Sequence, residues 1–245
     1  MKMYTLPTIF SFLLISITGL FAQNVTVLTP AKDNSMFSEN GTRSNGMGNL
    51  FIGRTCQGND RRALIEFDLS VIPAGAVITE VTLNLGTENG GNNSDGVVDI
   101  LSATREWGEG TSSGSGTGAP AVAPDATWTD AMLGTSFWTN PGGDFAELLS
   151  SRFTNEEFQP ITFPSSPNFV ARAQTWLDDP SMNHGLLIRG VESANCAALR
   201  LGSKDQGVSP ELVVTWVSAC NNPVSNLMIE AVSNTHLTLP TNREV

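Results

Sequence analysis

The sequence predicts an all-β protein, an antiparallel sandwich that carries one short helix. Three observations predict it. Residues 61–85 alternate with period two on both sides of Pro73-Ala74-Gly75, which is the signature of half-buried strands and not of a helix. Short apolar runs recur along the rest of the chain, separated by Gly-, Asn- and Ser-rich turns. A low charged fraction of 15% and 23 glycines fit a loop-rich β protein, and 40% hydrophobic residues suffice for a core.

The elements follow in chain order. Residues 1–22 read as a secretory signal, with Lys2 as the positive start, an apolar run over 9–21 and Ala22 before the cleavage point. A membrane anchor is the other reading, and the run falls short of the roughly 20 residues that a span requires. Residues 23–218 form the body. Residues 23–28 alternate as a first strand, 30–48 read as a polar loop or irregular edge, and 49–55 as a short strand. In residues 61–85, Ala63, Ile65, Phe67 and Leu69 share one face; after the turn Val77, Thr79, Val81, Leu83 and Leu85 share another, so the pair reads as a hairpin. Residues 86–96 are a long turn, 97–103 a strand and 108–124 an aperiodic loop.

Ser166-Pro167 offers a helix N-cap with Pro at the first helical position. Phe169, Ala173, Trp176 and Leu177 then recur at helical spacing, and Pro180 ends the element. Strands over 185–189, 197–202 and 211–217 complete a body of about nine strands, the spacing of a sandwich. Residues 219–232 change character and read as a linker or the start of a following β-module similar to a fibronectin type III repeat. Residues 233–245 fit nothing before them and resemble a translated sequencing adaptor, with a native tail as the alternative; on either reading, His236 and Arg243 carry no functional expectation.

The net charge of −11, one unit lower once Lys2 leaves with the signal, argues against nucleic acid, whose phosphates demand basic patches. Past the signal no stretch is a membrane-span candidate. An exported chain can oxidise its cysteines. Cys56 and Cys196 fall in the β body and are the expected pair, although spacing does not fix connectivity; Cys220 follows the last strand and is the odd one.

Several segments match one pattern jointly. They are Asp33-Asn34 with Phe37 and Glu39, Ser44-Asn45-Gly46, LFIGRT from Leu50, RRALIEFDLS from Arg61 and IPAGAVI from Ile72. Trp107-Gly108-Glu109-Gly110, DATW from Asp125, Trp138 with Gly142-Gly143-Asp144-Phe145, the Trp176 helix, NHGLLIRG from Asn183 and PELVVTW from Pro210 complete it. Together they resemble the DNRLRE domain, which is similar to carbohydrate-binding module family 96, over roughly residues 25–217. The naming motif itself is replaced here by Asp33-Asn34-Ser35-Met36-Phe37. The resemblance implies a jelly-roll-like sandwich, secreted or at the cell surface, non-catalytic, and joined to further domains. It also implies a polysaccharide ligand, in some members an alginate-type acidic one.

Binding sugar takes flat apolar faces and polar groups for hydroxyls. Trp128 and Trp138 lie in polar loop context and read either as platforms or as plugs of the sandwich edge; Trp176 and Trp216 fall in periodic elements and read as core, and Trp107 is left open. An acidic sugar would call on Arg54, Arg61, Arg62, Arg105 or Lys204, since a guanidinium meets a carboxylate with two parallel hydrogen bonds. Internal pairing with Glu66, Asp68 or Glu109 is the competing reading. Structural calcium takes carboxylate and amide oxygens. Asp33, Asn34, Glu39 and Asn40 gather such oxygens, as do Glu88, Asn92 and Asp95, and ordinary turn chemistry explains both groups equally well. His184 is lone. No HExxH, GxSxG or Cys/His set is present, and acids such as Glu106, Glu109 and Asp125 pair by chance in any acidic chain, so no catalytic activity is expected. A spacer or adhesive domain without sugar affinity is the alternative to polysaccharide binding.

Overall fold

The computed structural model describes residues 23–90, 95–154 and 160–218. The expected signal, the linker, the C-terminal tail, Asn92 and Cys220 lie outside these residues. In chain order the strands are β1 (Gln23–Leu28), β2 (Pro30–Phe37), β3 (Arg43–Ser44), β4 (Leu50–Arg54), β5 (Asp60–Phe67), β6 (Val77–Leu85), β7 (Thr87–Gly90) and β8 (Gly96–Ala103). They continue as β9 (Ala119–Pro120), β10 (Asp130–Met132), β11 (Ser136–Phe137), β12 (Phe145–Thr154), β13 (Ile161–Phe163), β14 (Leu186–Arg189), β15 (Leu199–Leu201) and β16 (Glu211–Val217). One α-helix, α1 (Pro167–Asp178), stands between β13 and β14.

The strands build an all-β sandwich in which the ladders are antiparallel. One layer is the sheet β1-β16-β6-β13. The other runs β12-β8-β14-β5-β2-β3-β9, with β4 also on β5 and β15 joining β4 to β7. The main core fills the space between the layers: Ala63, Ile65 and Phe67 of β5 face Val81, Leu83 and Leu85 of β6, and α1 closes one end with Phe169, Ala173 and Trp176. The helix forms where expected. Ser166 caps it by accepting from the Phe169 N–H, and Pro167 opens its first turn.

Three expectations change. First, β5 and β6 are not a hairpin: β5 pairs with β2, β4 and β14, and β6 with β16 and β13, in the opposite layer. The turn between them carries the chain across the core. Second, alternation in β6 is not continuous. Thr215 pairs with Glu80 but Trp216 pairs with Ile78, so Thr79 is an extra residue on β6. This bulge reverses the facing of the strand's start, burying Ile78 and leaving Val77 50% exposed. Third, β2 is an interior strand, not a loop. Its polar residues Asp33, Asn34 and Ser35 are fully buried and bonded to distant segments, which hides the period-two pattern. Part of the expected long turn after β6 likewise forms β7, which pairs with β15.

The outer face of the larger layer is also covered. Leu64, Met36, Leu101 and Leu187 pack there against Trp107, Ala126, Ala131 and Trp138 from the long excursion between β8 and β12. No described helix is long and apolar enough to cross a membrane.

Candidate functional site

The cations expected to meet an acidic sugar are engaged within the protein. Arg61 is 2% exposed and forks onto Glu39 through Nη1 and Nη2, at 2.7 and 2.6 Å, while its Nε donates to the Gly116 carbonyl. Burial pulls its guanidinium below the usual range, and the Glu39 carboxylate counters that. Arg62 grips both oxygens of Glu192 at 2.7 and 3.0 Å, donates to the Gly142 carbonyl and lies 5.0 Å over the Trp128 ring. Arg54 pairs with Asp60, Arg105 with Asp144, and Lys204 with Glu109 and Asp205. Internal pairing thus holds, with Glu39 and Glu192 in the roles that the sequence suggested for other acids.

The tryptophans divide in the same way. Trp138 is buried, and its Nε1 donates to the Thr127 carbonyl, so it plugs the loop layer and offers no flat face. Trp128 is half-buried beneath Arg62. Trp107 and Trp176 are core residues, whereas Trp216 is only partly buried and bonds Thr26 through its Nε1. Cys56 and Cys196 are joined as a disulfide.

The calcium group expected over residues 33–40 does not assemble. Asn34 is buried and its amide oxygen accepts from the Ser44 hydroxyl and the Asn45 N–H, holding β2 to the next segment. Glu39 is committed to Arg61, and Asn40 accepts from Thr42 in a local turn. Glu88, of the second group, is paired with Arg200 and Asn49. Asp125 is buried with its oxygens held by the Gly110 and Val122 N–H groups, and His184 lies 3.5 Å from Glu106.

Asp33 remains, and the fold gives it different neighbours. Carboxylate oxygens of Asp33, Glu109 and Asp205 lie within 4.8 Å of one another. Glu109 comes from the excursion after β8, and its Oε1 accepts from the Asp33 N–H at 2.7 Å. Asp205 comes from the loop between β15 and β16, whose Lys204 N–H donates to Asp33 Oδ2. Asp33 is fully buried and its Oδ1 is without a hydrogen-bond partner. Burial pushes the Asp33 carboxyl up to about 7; the Lys204 N–H opposes the shift and the Glu109 charge adds to it. Burial also raises Glu109.

A second feature is an open cleft of about 560 Å³ across β4, β15 and β7. The buried Phe51 and Leu199 form its floor, and Asn49, Thr55, Asn89, Ser115, Arg200 and Gln206 are among its polar lining. Arg200 and Asn89 are exposed. Arg61 contributes to the wall of this cleft, but from within the protein and locked to Glu39. None of the other polar lining residues was singled out by sequence as a ligand, because no local motif joins strands that are 152 residues apart in the Asn49 to Leu201 hydrogen bond.

No protein-family model matches the chain, and no curated protein matches it significantly.

Proposed function

We propose that this chain is a secreted, non-catalytic module of the DNRLRE type that holds a polysaccharide in the cleft over β4, β15 and β7. The observation that carries this reading is the cleft itself. Asn49, Asn89, Arg200 and Gln206 present amides and a guanidinium to sugar hydroxyls, with the hydroxyl residues Thr55 and Ser115 beside them and the buried Phe51 and Leu199 as the floor. A shallow, open site also suits a long chain that enters and leaves at both ends. The joint sequence pattern and the β-sandwich support the same reading. A bound module raises the local concentration of whatever is joined to it, so its mechanism is tethering.

Arg200 is the cation that an acidic sugar would meet here. It is 44% exposed at its side chain and meets Glu88 through Nε alone; Glu88 also accepts from Asn49, so its carboxylate keeps one hydrogen bond when Arg200 turns towards a ligand. Arg54, Arg61 and Arg62 are not assigned to the ligand, since each forks onto both oxygens of its carboxylate and would lose two hydrogen bonds on release. That pairing also favours the second reading, a spacer or adhesive domain with no sugar affinity.

Affinity electrophoresis of the mature chain in gels containing neutral or acidic polysaccharides separates the two. Retardation by at least one polysaccharide, lost in Arg200→Ala with Gln206→Ala, is the expected result. Equal mobility in every gel, with and without calcium, establishes the spacer reading instead.

A further inference from the structure

We propose that Asp33, Glu109 and Asp205 form a divalent-cation site, with calcium as its ion, that fastens β2 to the loop between β15 and β16. The inference does not rest on the polysaccharide reading.

Three facts carry it. The carboxylates come from three distant segments, yet their oxygens fall within one 4.8 Å envelope. Calcium binds oxygen at about 2.3–2.6 Å in flexible geometry, so ligands on one ion can stand up to roughly 4.6–5.2 Å apart, which accommodates this envelope; magnesium demands a near-ideal octahedron at about 2.0–2.1 Å and gives up its water reluctantly, which three carboxylates on separate segments favour less. The second fact is Asp33 Oδ1. It is buried in a fully enclosed side chain and accepts no hydrogen bond, although its sister oxygen takes the Lys204 N–H. Buried carboxylate oxygens are rarely left so, because the lost hydration is not replaced. A cation among the three carboxylates replaces it. The third fact is charge. Three carboxylates face one ammonium, Lys204 Nζ, at 3.5 Å from Glu109 and 3.2 Å from Asp205. A divalent ion matches the two charges left over.

Lys204 is also the rival. Its ammonium could serve as the counterion by itself, and the cluster would then be an ion-pair network. It leaves Asp33 Oδ1 unbonded, however, and its half-open side chain can swing outwards when an ion enters. Asp205 is exposed, so solvent can complete a shell of six to eight oxygens. With three protein carboxylates, affinity falls in the weak range of extracellular modules, about 0.1–1 mM.

The test uses the full chain, stripped with a chelator and titrated with calcium chloride by calorimetry and by thermal unfolding. The expected result is saturable binding of a single ion, and an unfolding midpoint that climbs with calcium concentration by mass action. Magnesium should need about tenfold more. Asp205→Asn, an exposed change that leaves the fold intact, should weaken binding about tenfold or more, and Lys204→Met should tighten it by removing the competing ammonium. Absence of saturable binding up to about 10 mM calcium overturns the site, as does a midpoint unmoved by Asp205→Asn. Under the ion-pair rival, Lys204→Met lowers stability and calcium has no effect.

Discussion

The backbone N–H of Lys204 donates to Asp33 Oδ2 over 2.6 Å, closing a contact between residues 171 apart in sequence. The bond secures one oxygen of a fully buried carboxylate and leaves the other bare. Asparagine at this position keeps a carbonyl oxygen for the Lys204 N–H and removes the buried charge. In chelator at about pH 8, above the folded pKa, Asp33→Asn should therefore resist urea better than the natural chain, by about 1–3 kcal/mol. Equal or lower stability would mean that Lys204 already neutralises the carboxylate.

Arg62 is held by three partners at once: the Glu192 carboxylate, the Gly142 carbonyl and the Trp128 ring. Removing one partner of a largely buried pair strands the other charge. Arg62→Ala should cost about 3 kcal/mol in urea unfolding, with no polysaccharide present. Arg62→Lys should recover less than half of that, because an ammonium is a point charge and cannot form the planar fork. A loss below about 0.5 kcal/mol would return Arg62 to the surface cations free to meet a ligand.

These contacts show what local pattern reveals and what it hides. The helix was legible because Ser166, Pro167 and the spacing of Phe169, Ala173 and Trp176 act within one segment. Residues 61–67 and 77–85 were legible as strands, but not their partners: alternation states that a face is buried, and is silent on which layer buries it. The Thr79 bulge was hidden for a related reason, since an extra residue is defined only against the opposing strand. Strand β2 was hidden by its own buried polar groups. Asn34 donates to Ala126 and Asp33 accepts from Lys204, so residues that look like a turn lie in the interior. The same long-range closure explains why Asp33 was named as a metal ligand with Asn34 and Glu39, whereas the fold places Glu109 and Asp205 beside it.

The Cys56–Cys196 bridge closes a loop between residues 140 apart. A cross-link of that span removes much conformational freedom from the unfolded chain, worth about 4–5 kcal/mol in the entropic account. Cys56→Ser/Cys196→Ser should lose stability of that order or somewhat less in urea unfolding. Of the three cysteines in the chain, two are so engaged. Thiol titration of the denatured, unreduced protein should accordingly find one reactive group, and three after reduction. Three thiols before reduction would show that the bridge does not form.

Asp144 governs the loop on which Arg62 leans. Its carboxylate accepts from the Thr139 N–H at 2.9 Å, the Asn140 N–H at 3.0 Å and Arg105 Nε at 2.9 Å. Burial alone would raise its pKa, but those three donors outweigh it and hold the carboxyl below its ordinary 3.8. A carboxylate with a depressed folded pKa adds stability that is fully present above the unfolded value. It fades as the pH falls below about 4 towards the folded value, where the folded protein also takes up the proton. Asp144→Asn should lower stability by about 1–2 kcal/mol near neutrality. The gap between the two proteins should stay constant down to about pH 5 and narrow below pH 4, because only the natural chain has that carboxylate to lose. Urea unfolding followed by tryptophan fluorescence at a series of pH values measures it. A gap that stays constant through pH 3 would show that the loop draws no stability from the ionised form.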